Sequence, residues 1–216
     1  PDQFFRHAPA GAILYLIQNG KPATGTGFLI APDLLLTNEH CVNSAESCAS
    51  MYATFGYEIG PDRRMRIGPS RTCVDFQPFR VNYDLDASVV RLSSPLGPEY
   101  APVPLDEIAP PEGPLYIIQH PGGQPKQIAY IDCTAAAPDV DGRAPGTDFT
   151  HTCDTAGGSS GAPVFDMQAR LVGLHHFGFS EDGQGIWTEN RAVRAEPLHD
   201  WATSLSPTGP APSDEP

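Results

Sequence analysis

The chain of 216 residues is long enough for one large domain or two small ones. Its formal net charge of −13 argues against a nucleic-acid partner, because phosphate backbones repel an acidic protein. No stretch of about 18 consecutive apolar residues occurs, so the sequence predicts no transmembrane helix and no membrane partner. The 24 prolines and 21 glycines break many short apolar runs, which favours an all-β protein.

The first part of the chain has the pattern of short strands joined by turns. Asn19-Gly20 follows an apolar run and is typical of a tight β-hairpin. Two further strand-like runs, 25–30 and 34–37, are separated by Ala31-Pro32-Asp33, which favours a turn. His40 follows the second of these runs. A histidine at the end of a strand is usually structural, so a role as general base depends on partners elsewhere in the chain.

Asp86 precedes a short β-branched strand that extends to residue 92. A carboxylate at the mouth of a buried strand can accept an imidazole N–H and fix the tautomer of a general base. Asp84 lies two residues earlier and would point to the same face of an extended strand. It is the competing candidate, and its ordinary role is that of a solvated loop acid.

Ser160 lies within a run of small residues, 154–163. Such a run lets a substrate backbone approach closely, and its N–H groups can hold an oxyanion beside a nucleophilic serine. A Gly/Ser-rich run is more often a plain surface turn. The histidine and carboxylate upstream are therefore what make Ser160 a candidate nucleophile.

Three blocks, in this order, resemble the histidine, aspartate and serine blocks of chymotrypsin-fold serine proteases. They are Thr37-Asn38-Glu39-His40-Cys41, Asp86-Ala87-Ser88-Val89-Val90-Arg91-Leu92 and Gly158-Ser159-Ser160-Gly161-Ala162-Pro163. The closest likeness is to the bacterial branch that contains the glutamyl endopeptidases, because Gly173-Leu174-His175 follows the serine block. The likeness extends from about residue 12 to about residue 201, and its register selects Asp86 over Asp84.

The resemblance implies an all-β fold of two six-stranded antiparallel β-barrels with a short C-terminal helix. We expect the first barrel over residues 1–103, carrying His40 and Asp86, and the second over 104–205, carrying Ser160 and the helix. A helix is indicated at 195–202, with a proline tolerated in its first turn. The Pro-rich segment 206–216 has the composition of a tail or linker.

The resemblance also implies a serine endopeptidase that forms an acyl-enzyme. Ser160 would attack the peptide carbonyl, His40 would take its proton, and Asp86 would orient His40. The N–H groups of Gly158 and Ser160 would form the oxyanion hole. This chemistry needs no metal and no organic cofactor. The expected partners are polypeptide substrates, and we expect a monomer.

Two rival determinants of substrate preference stay open. His175 matches the histidine with which glutamyl endopeptidases bind an acidic side chain, and Thr155 is a plausible hydroxyl partner. Asp154, six residues before Ser160, matches the acid that selects Lys or Arg in trypsin-like members. We favour the acidic preference. The stretch His176-Phe177-Gly178 would form the pocket wall, with a backbone that pairs with an extended substrate.

The chain has five cysteines. The resemblance implies a disulfide between Cys133 and Cys153, worth about 2–4 kcal/mol, that braces the strand leading into the serine block. Cys41, Cys48 and Cys73 leave one pair and one free thiol, and both Cys48–Cys73 and Cys41–Cys48 are open. A disulfide-bearing protease fits an oxidising compartment, so we expect a secreted or extracytoplasmic protein.

A second functional hypothesis is a non-catalytic binding protein built on the protease fold. Degenerate members usually lose the serine or the histidine, and this chain keeps both. An α/β-hydrolase esterase is disfavoured because there the histidine comes last in the chain, whereas His40 comes first. The aspartate that precedes the nucleophile in vertebrate digestive enzymes is Ser159 here, which argues against activation through a newly freed N-terminus.

Overall fold

The computed structural model describes residues 2–179 and 189–205. A short helix, α1 (Asp2–Arg6), leads into an antiparallel barrel that occupies the first half of the chain. Its region contains the strands β1 (Gly11–Gln18), β2 (Lys21–Ala31), β3 (Leu34–Thr37), β4 (Tyr52–Phe55), β5 (Glu58–Ile59), β6 (Met65–Arg66), β7 (Ser70–Val74), β8 (Val81–Asn82) and β9 (Ala87–Leu92), and the helix α2 (Ala45–Ser50).

The barrel closes through one pairing between distant strands. The sheet order is β3-β2-β1-β4-β7-β9-β8, and β3 also pairs with β9, so six strands form a ring. The strands β5 and β6 pair with each other in a separate ribbon. The predicted hairpin is confirmed: Gln18 pairs with Lys21, and the two residues between them, Asn19 and Gly20, have the positive φ angles that a tight hairpin turn requires.

The second half of the chain forms a six-stranded antiparallel sheet. Its strands are β10 (Leu115–Gln119), β11 (Gln127–Ala129), β12 (Asp148–His151), β13 (Pro163–Asp166), β14 (Leu171–Phe179) and β15 (Glu189–Arg194), in the order β11-β10-β13-β14-β15-β12. In the part of the chain that the structure describes, no ladder joins β11 to β12. The segment between them makes only isolated bridges, such as Ala135 to His151.

The prediction of two closed barrels is therefore confirmed for the first barrel only. The segment between β11 and β12 contains Pro138, Gly142 and Pro145. Proline offers no N–H to a ladder, and glycine weakens a strand, so this segment is poorly suited to a strand that would close the ring. The expected C-terminal helix is confirmed as α3 (Ala195–Ser204), which buries Leu198 and Ala202.

One hydrophobic cluster extends across both sheets. It contains barrel residues such as Phe28 and Phe55 together with Tyr116, Phe165 and Leu174 of the second sheet, all fully buried. The two sheets therefore pack on each other, and residues from both meet at one cleft. No helix among residues 2–179 and 189–205 has the length and apolarity needed to span a bilayer.

Two disulfides form. Cys133–Cys153 is the bridge that the resemblance implied, and Cys48 of α2 joins Cys73 of β7. Of the two open pairings, the structure thus has Cys48–Cys73, and Cys41 is a buried free thiol. The predicted tail or linker, 206–216, lies outside the described residues.

Candidate active site

The pairing of β3 with β9 brings the histidine and aspartate blocks together. Thr37 pairs with Ser88, so the residues just beyond each strand end become neighbours. The side-chain amide of Asn38 and the main-chain N–H of Glu39 each donate to the Asp86 carbonyl oxygen at 3.0 Å. Here the His40 Nδ1 lies 2.8 Å from Asp86 Oδ2.

The Asp86 carboxylate is fully buried and surrounded by donors. Its Oδ1 accepts from the main-chain N–H of His40 at 3.0 Å and from Arg143 Nη2 at 2.9 Å. Its Oδ2 contacts His40 Nδ1 and also His176 Nδ1, which is 3.2 Å away. Asp84, the competing candidate, is exposed. Asp86 is thus the carboxylate that contacts the imidazole of His40.

Opposing influences set the pKa values of this pair. Burial raises the pKa of Asp86, but hydrogen bonds from His176 and His40 outweigh it and hold the pKa well below its ordinary range. Burial likewise lowers the pKa of His40, but the hydrogen bond to Asp86 and the neighbouring Cys41 outweigh it and raise the pKa above its ordinary value. His40 is therefore a stronger base than a free imidazole.

Ser160 lies in the loop between β12 and β13, which is tied to both sheets. Its carbonyl oxygen accepts from the N–H of Thr26 at 2.8 Å, and the N–H of Gly161 donates to the His175 carbonyl at 2.9 Å. Gly161 has φ +86°, and a Cβ there would overlap the carbonyl oxygen of Thr26. Glycine is required at this position because both the backbone angle and the close approach exclude a side chain.

The backbone beside Ser160 offers two free donors. Gly158 has φ +96°, and its carbonyl oxygen accepts from the Thr26 hydroxyl at 2.8 Å. The buried Ser159 turns inward: its N–H donates to the Ala156 carbonyl at 3.0 Å, and its hydroxyl accepts from the Ala156 N–H at 3.1 Å. Within the described ranges, the N–H groups of Gly158 and Ser160 have no protein acceptor, so both remain available to a ligand.

The hydroxyl of Ser160 opens into a cleft of about 390 Å³ shared by residues from both sheets. Its Oγ donates to the main-chain oxygen of His176 at 3.1 Å, and the structure shows no hydrogen bond from it to His40. The cleft brings together two of the three catalytic candidates and most of the predicted binding residues. It is lined by His40, Arg143, Thr155, Ala156, Gly157, Ser160, His175, His176, Phe177, Gly178 and Asn190.

The two rival candidates for substrate preference, His175 and Asp154, lie in different clefts. His175 lines the cleft and is nearly fully buried, with its Nδ1 3.1 Å from His151 Nε2. Burial and then the nearby histidines, His151 first, hold the pKa of His175 well below its usual range. The Thr155 hydroxyl donates to the Asn190 side chain at 2.6 Å. Asp154 is exposed and lines a neighbouring cleft that does not include Ser160.

The contacts of the His176 ring with two carboxylates were not predicted from the sequence. His176 lines the cleft, and its imidazole is buried between Asp86 and Asp148, with Nε2 2.7 Å from Asp148 Oδ2. Neighbouring residues of a strand point to opposite faces, so His175 and His176 could have been assigned to different sides. Arg143, which also contacts Glu39 at 2.6 Å, gave no sequence signal of its role.

The comparisons identify the family. A model described as the Trypsin-like peptidase domain matches residues 25–174, so the chain belongs to this family. It is 30% identical over 184 residues to the uncharacterized protein y4fB of Sinorhizobium fredii and 30% identical over 177 residues to the Secreted RxLR effector protein 73 of Plasmopara viticola. These alignments cover 76% and 73% of the chain but 27% and 43% of the relatives, so the chain spans less than half of each.

Solved structures of proteases have the same fold as this chain. The active form of the Rv3671c protease of M. tuberculosis has a TM-score of 0.62 at 19% identity, covering 97% of the chain and 86% of that protein. A serine endoprotease from Yersinia pestis has a TM-score of 0.67 at 15% identity, covering 94% and 65%. A scabies mite inactivated protease paralogue has a TM-score of 0.69 at 16% identity, covering 92% and 94%. At these identities the likeness shows the chymotrypsin-like fold alone.

Proposed function

We propose that this chain is a serine endopeptidase that hydrolyses peptide bonds through His40, Asp86 and Ser160. The observation that carries the proposal is the contact of His40 Nδ1 with the buried Asp86 carboxylate at 2.8 Å, because His40 lines the same cleft as Ser160. A carboxylate on Nδ1 leaves Nε2 unprotonated, which is the form that a general base needs.

The reaction would proceed by two acyl transfers. Ser160 Oγ attacks the scissile carbonyl while His40 Nε2 takes its proton, and the same proton then goes to the leaving amine. Water attacks the acyl-enzyme with His40 again as base, which releases the acid and restores Ser160. The free N–H groups of Gly158 and Ser160 would hold the oxyanion, each worth about 3–4 kcal/mol in the transition state.

The serine must reorient before it reacts. Its Oγ now donates to the carbonyl oxygen of His176, and attack requires it to donate to His40 instead. Ser160 carries a single rotatable side-chain bond, so this change needs only a different rotamer. Catalytic hydrogen bonds are often loose before substrate is bound, so the geometry is compatible with an active enzyme.

We further propose a preference for an acidic residue on the amino side of the scissile bond. His175 lines the cleft, and because its pKa is lowered it would meet a substrate carboxylate as a neutral hydrogen-bond donor. The Thr155 hydroxyl lies in the same cleft, and Arg143 also lines it, with its guanidinium paired to Asp86 and Glu39. The alternative, a Lys or Arg preference through Asp154, is less favoured because Asp154 lies outside this cleft.

The setting of the proposed activity is extracytoplasmic. The two disulfides favour an oxidising compartment, and one relative carries the word secreted in its name. We propose that the protein acts as a monomer on polypeptide substrates. A substrate would bind as an extended chain that pairs with residues 176–178 of β14.

The second candidate is a non-catalytic binding protein on the same fold. One solved neighbour is an inactivated protease, and the Ser160 hydroxyl bonds to the His176 carbonyl oxygen instead of to His40 in this structure. Either function would use the same cleft and the same extended polypeptide ligands. Only the reactivity of the Ser160 hydroxyl separates the two.

Labelling with a fluorophosphonate probe makes this distinction. A working triad makes Ser160 react covalently, and intact-mass analysis should then show one adduct per chain. Ser160→Ala should abolish the adduct, and His40→Ala should slow its formation by orders of magnitude. A folded wild-type protein that takes up no probe would favour the binding protein instead.

A further inference from the structure

A second histidine–carboxylate pair lies directly behind the proposed triad. His176 is 1% exposed, and its two ring nitrogens face two different carboxylates. Nδ1 is 3.2 Å from Asp86 Oδ2, and Nε2 is 2.7 Å from Asp148 Oδ2. Asp148 is itself fully buried, and its other oxygen accepts from the Thr147 hydroxyl at 3.0 Å. Four side chains thus form a continuous series, His40–Asp86–His176–Asp148.

The local backbone explains why the ring of His176 points there. The pairing of β14 with β15 shifts register between His175 and Phe177, so His176 has no partner across the ladder. A β-bulge of this kind redirects a side chain and is common beside active sites. β12 lies on the other side of β15, and its first residue, Asp148, pairs with Val193 of β15. The carboxylate of Asp148 lies beside His176 Nε2.

His176 contacts the same oxygen of Asp86 that contacts His40, the proposed general base. Asp86 Oδ2 contacts His176 Nδ1 and also His40 Nδ1, so a displacement of this oxygen would displace the His40 ring. The two other donors to Asp86, the His40 main chain and Arg143, act on Oδ1. Among the described residues only the two imidazoles reach Oδ2, and His176 is the one outside the triad.

We propose that His176 and Asp148 are positioning residues that hold Asp86, and through it His40, in the geometry that proton transfer from Ser160 requires. This inference rests on the proposed peptidase function. With a proton on each ring nitrogen, His176 donates to both carboxylates, from Nε2 to Asp148 and from Nδ1 to Asp86. A hydrogen bond to a charged group is stronger than one between neutral groups, so two buried bonds in series restrain Asp86 more firmly than one exposed contact would.

Steady-state kinetics on three variants test the pair. His176→Ala removes the donor to Asp86 and should lower kcat by about 10–100-fold with little change in KM, the range that follows from losing one charge-assisted hydrogen bond. His176→Asn places an amide N–H near the former Nδ1 and should recover part of this loss. Asp148→Asn keeps the shape but loses the carboxylate, and it should also lower kcat.

The matched control is His7→Asn. His7 is another buried histidine that stacks on an aromatic ring, but its Nε2 bonds to the Ala169 carbonyl and it has no contact with Asp86. This variant should keep the wild-type kcat if it folds, as circular dichroism would show. Equal losses in His7→Asn and His176→Asn would overturn the proposal, because both would then report general destabilisation.

A second measurement does not depend on turnover. In a Ser160→Ala background, the proton on His40 Nδ1 should give a downfield NMR signal at mildly acidic pH, and adding His176→Asn or Asp148→Asn should move it. An unmoved signal overturns the positioning role, even if kcat falls. If the wild type shows no Ser160-dependent reaction but the signal moves, the peptidase function fails and the positioning of Asp86 stands.

Discussion

The hydroxyl of Ser160 donates to the main-chain oxygen of His176 at 3.1 Å. The side chain of that same His176 contacts Asp86 Oδ2 at 3.2 Å. One residue of β14 therefore touches two of the three triad candidates, the serine through its backbone and the aspartate through its ring. The strand therefore forms part of the proposed catalytic arrangement as well as the wall along which a substrate would pair.

The first prediction concerns the identity of the triad carboxylate. Asp86→Asn should lower kcat by about 10⁴-fold, the size of effect seen when a triad aspartate becomes an amide and the histidine takes the wrong tautomer. The protein should remain folded, because the amide fills the same buried space. Hydrolysis of a chromogenic peptide measures the rate. Asp84→Ala is the matched control, since Asp84 is exposed, and a crippling effect there would contradict the assignment.

The second prediction concerns the pH dependence of activity. His40 can accept a proton only when its ring is neutral, and Asp86 raises its pKa above 6.5. Activity should therefore fall as the pH drops through this raised value, and the acidic limb of kcat/KM should lie above pH 6.5. Asp86→Asn should move the limb to lower pH. A limb below pH 6.5 in the wild type would contradict a raised pKa of His40.

The contact between His40 and Asp86 also makes the stability of the fold depend on pH, in the direction opposite to that of activity. The folded-state pKa of His40 is raised, so its ion pair with Asp86 stabilises the fold below pH 6.5. This contribution is lost as the pH rises through the folded-state value. The pH at which the site is most active is thus higher than the pH at which this pair contributes most to folding.

The sequence could suggest the three triad candidates because each lies in a short block with local constraints. The small residues around Ser160 are there for backbone reasons, since a Cβ at Gly161 would overlap Thr26. The pairing of β3 with β9 that joins His40 to Asp86 is distant in sequence. The family register nevertheless implied that these two blocks meet, and the structure brings them together.

The remaining features depend on geometry that spacing does not encode. Asp154 has the spacing of a specificity acid, but the direction in which a loop side chain points is set by the turn, and here it is exposed. The contact of His176 with Asp148 depends on a register shift in β14, which a single sequence does not reveal. Closure of the second barrel depends on pairing at sheet edges, where proline and glycine interrupt the pattern.

The third prediction concerns acid unfolding. Burial lowers the pKa of His120 to about 4, despite its hydrogen bond to the Gln124 carbonyl. The unfolded chain takes up this proton at about pH 6.5, but the folded chain does so only near pH 4, so stability falls as the pH drops between these values. The loss is on the order of 3 kcal/mol, at about 1.4 kcal/mol per pH unit.

Urea unfolding at a series of pH values measures this effect. His120→Asn keeps an N–H donor at the former Nδ1, which contacts Gln124, and it removes the titrating group. The variant should therefore lose less stability than the wild type across this window. Parallel curves for the two proteins would assign the acid sensitivity to other groups.

The fourth prediction concerns the disulfide Cys133–Cys153. It closes a loop of 20 residues, and replacing both cysteines with serine should lower the free energy of unfolding by about 3 kcal/mol. The Cys153 carbonyl also accepts from Asn190, whose side chain accepts from Thr155, so KM should rise as this wall of the cleft loosens.

Thiol titration in denaturant without reductant provides the control for this variant. Both proteins should expose a single thiol, that of Cys41, because Cys48–Cys73 remains intact. The folded wild type should react slowly, since Cys41 is 4% exposed. Three reactive thiols in the wild type would mean that one of the two bridges is absent.

The fifth prediction concerns substrate preference, read from the cleavage products of a peptide library by mass spectrometry. Cleavage should follow Glu or Asp, because His175 lines the cleft beside Ser160 and Asp154 does not. His175→Ala should lower kcat/KM for a Glu substrate by about 10–100-fold, the value of one hydrogen bond to a charged group. Asp154→Ala is the matched control and should change little. Cleavage mainly after Lys or Arg, lost in Asp154→Ala, would reverse the assignment, because the exposed acid would then have to turn toward the cleft when substrate binds.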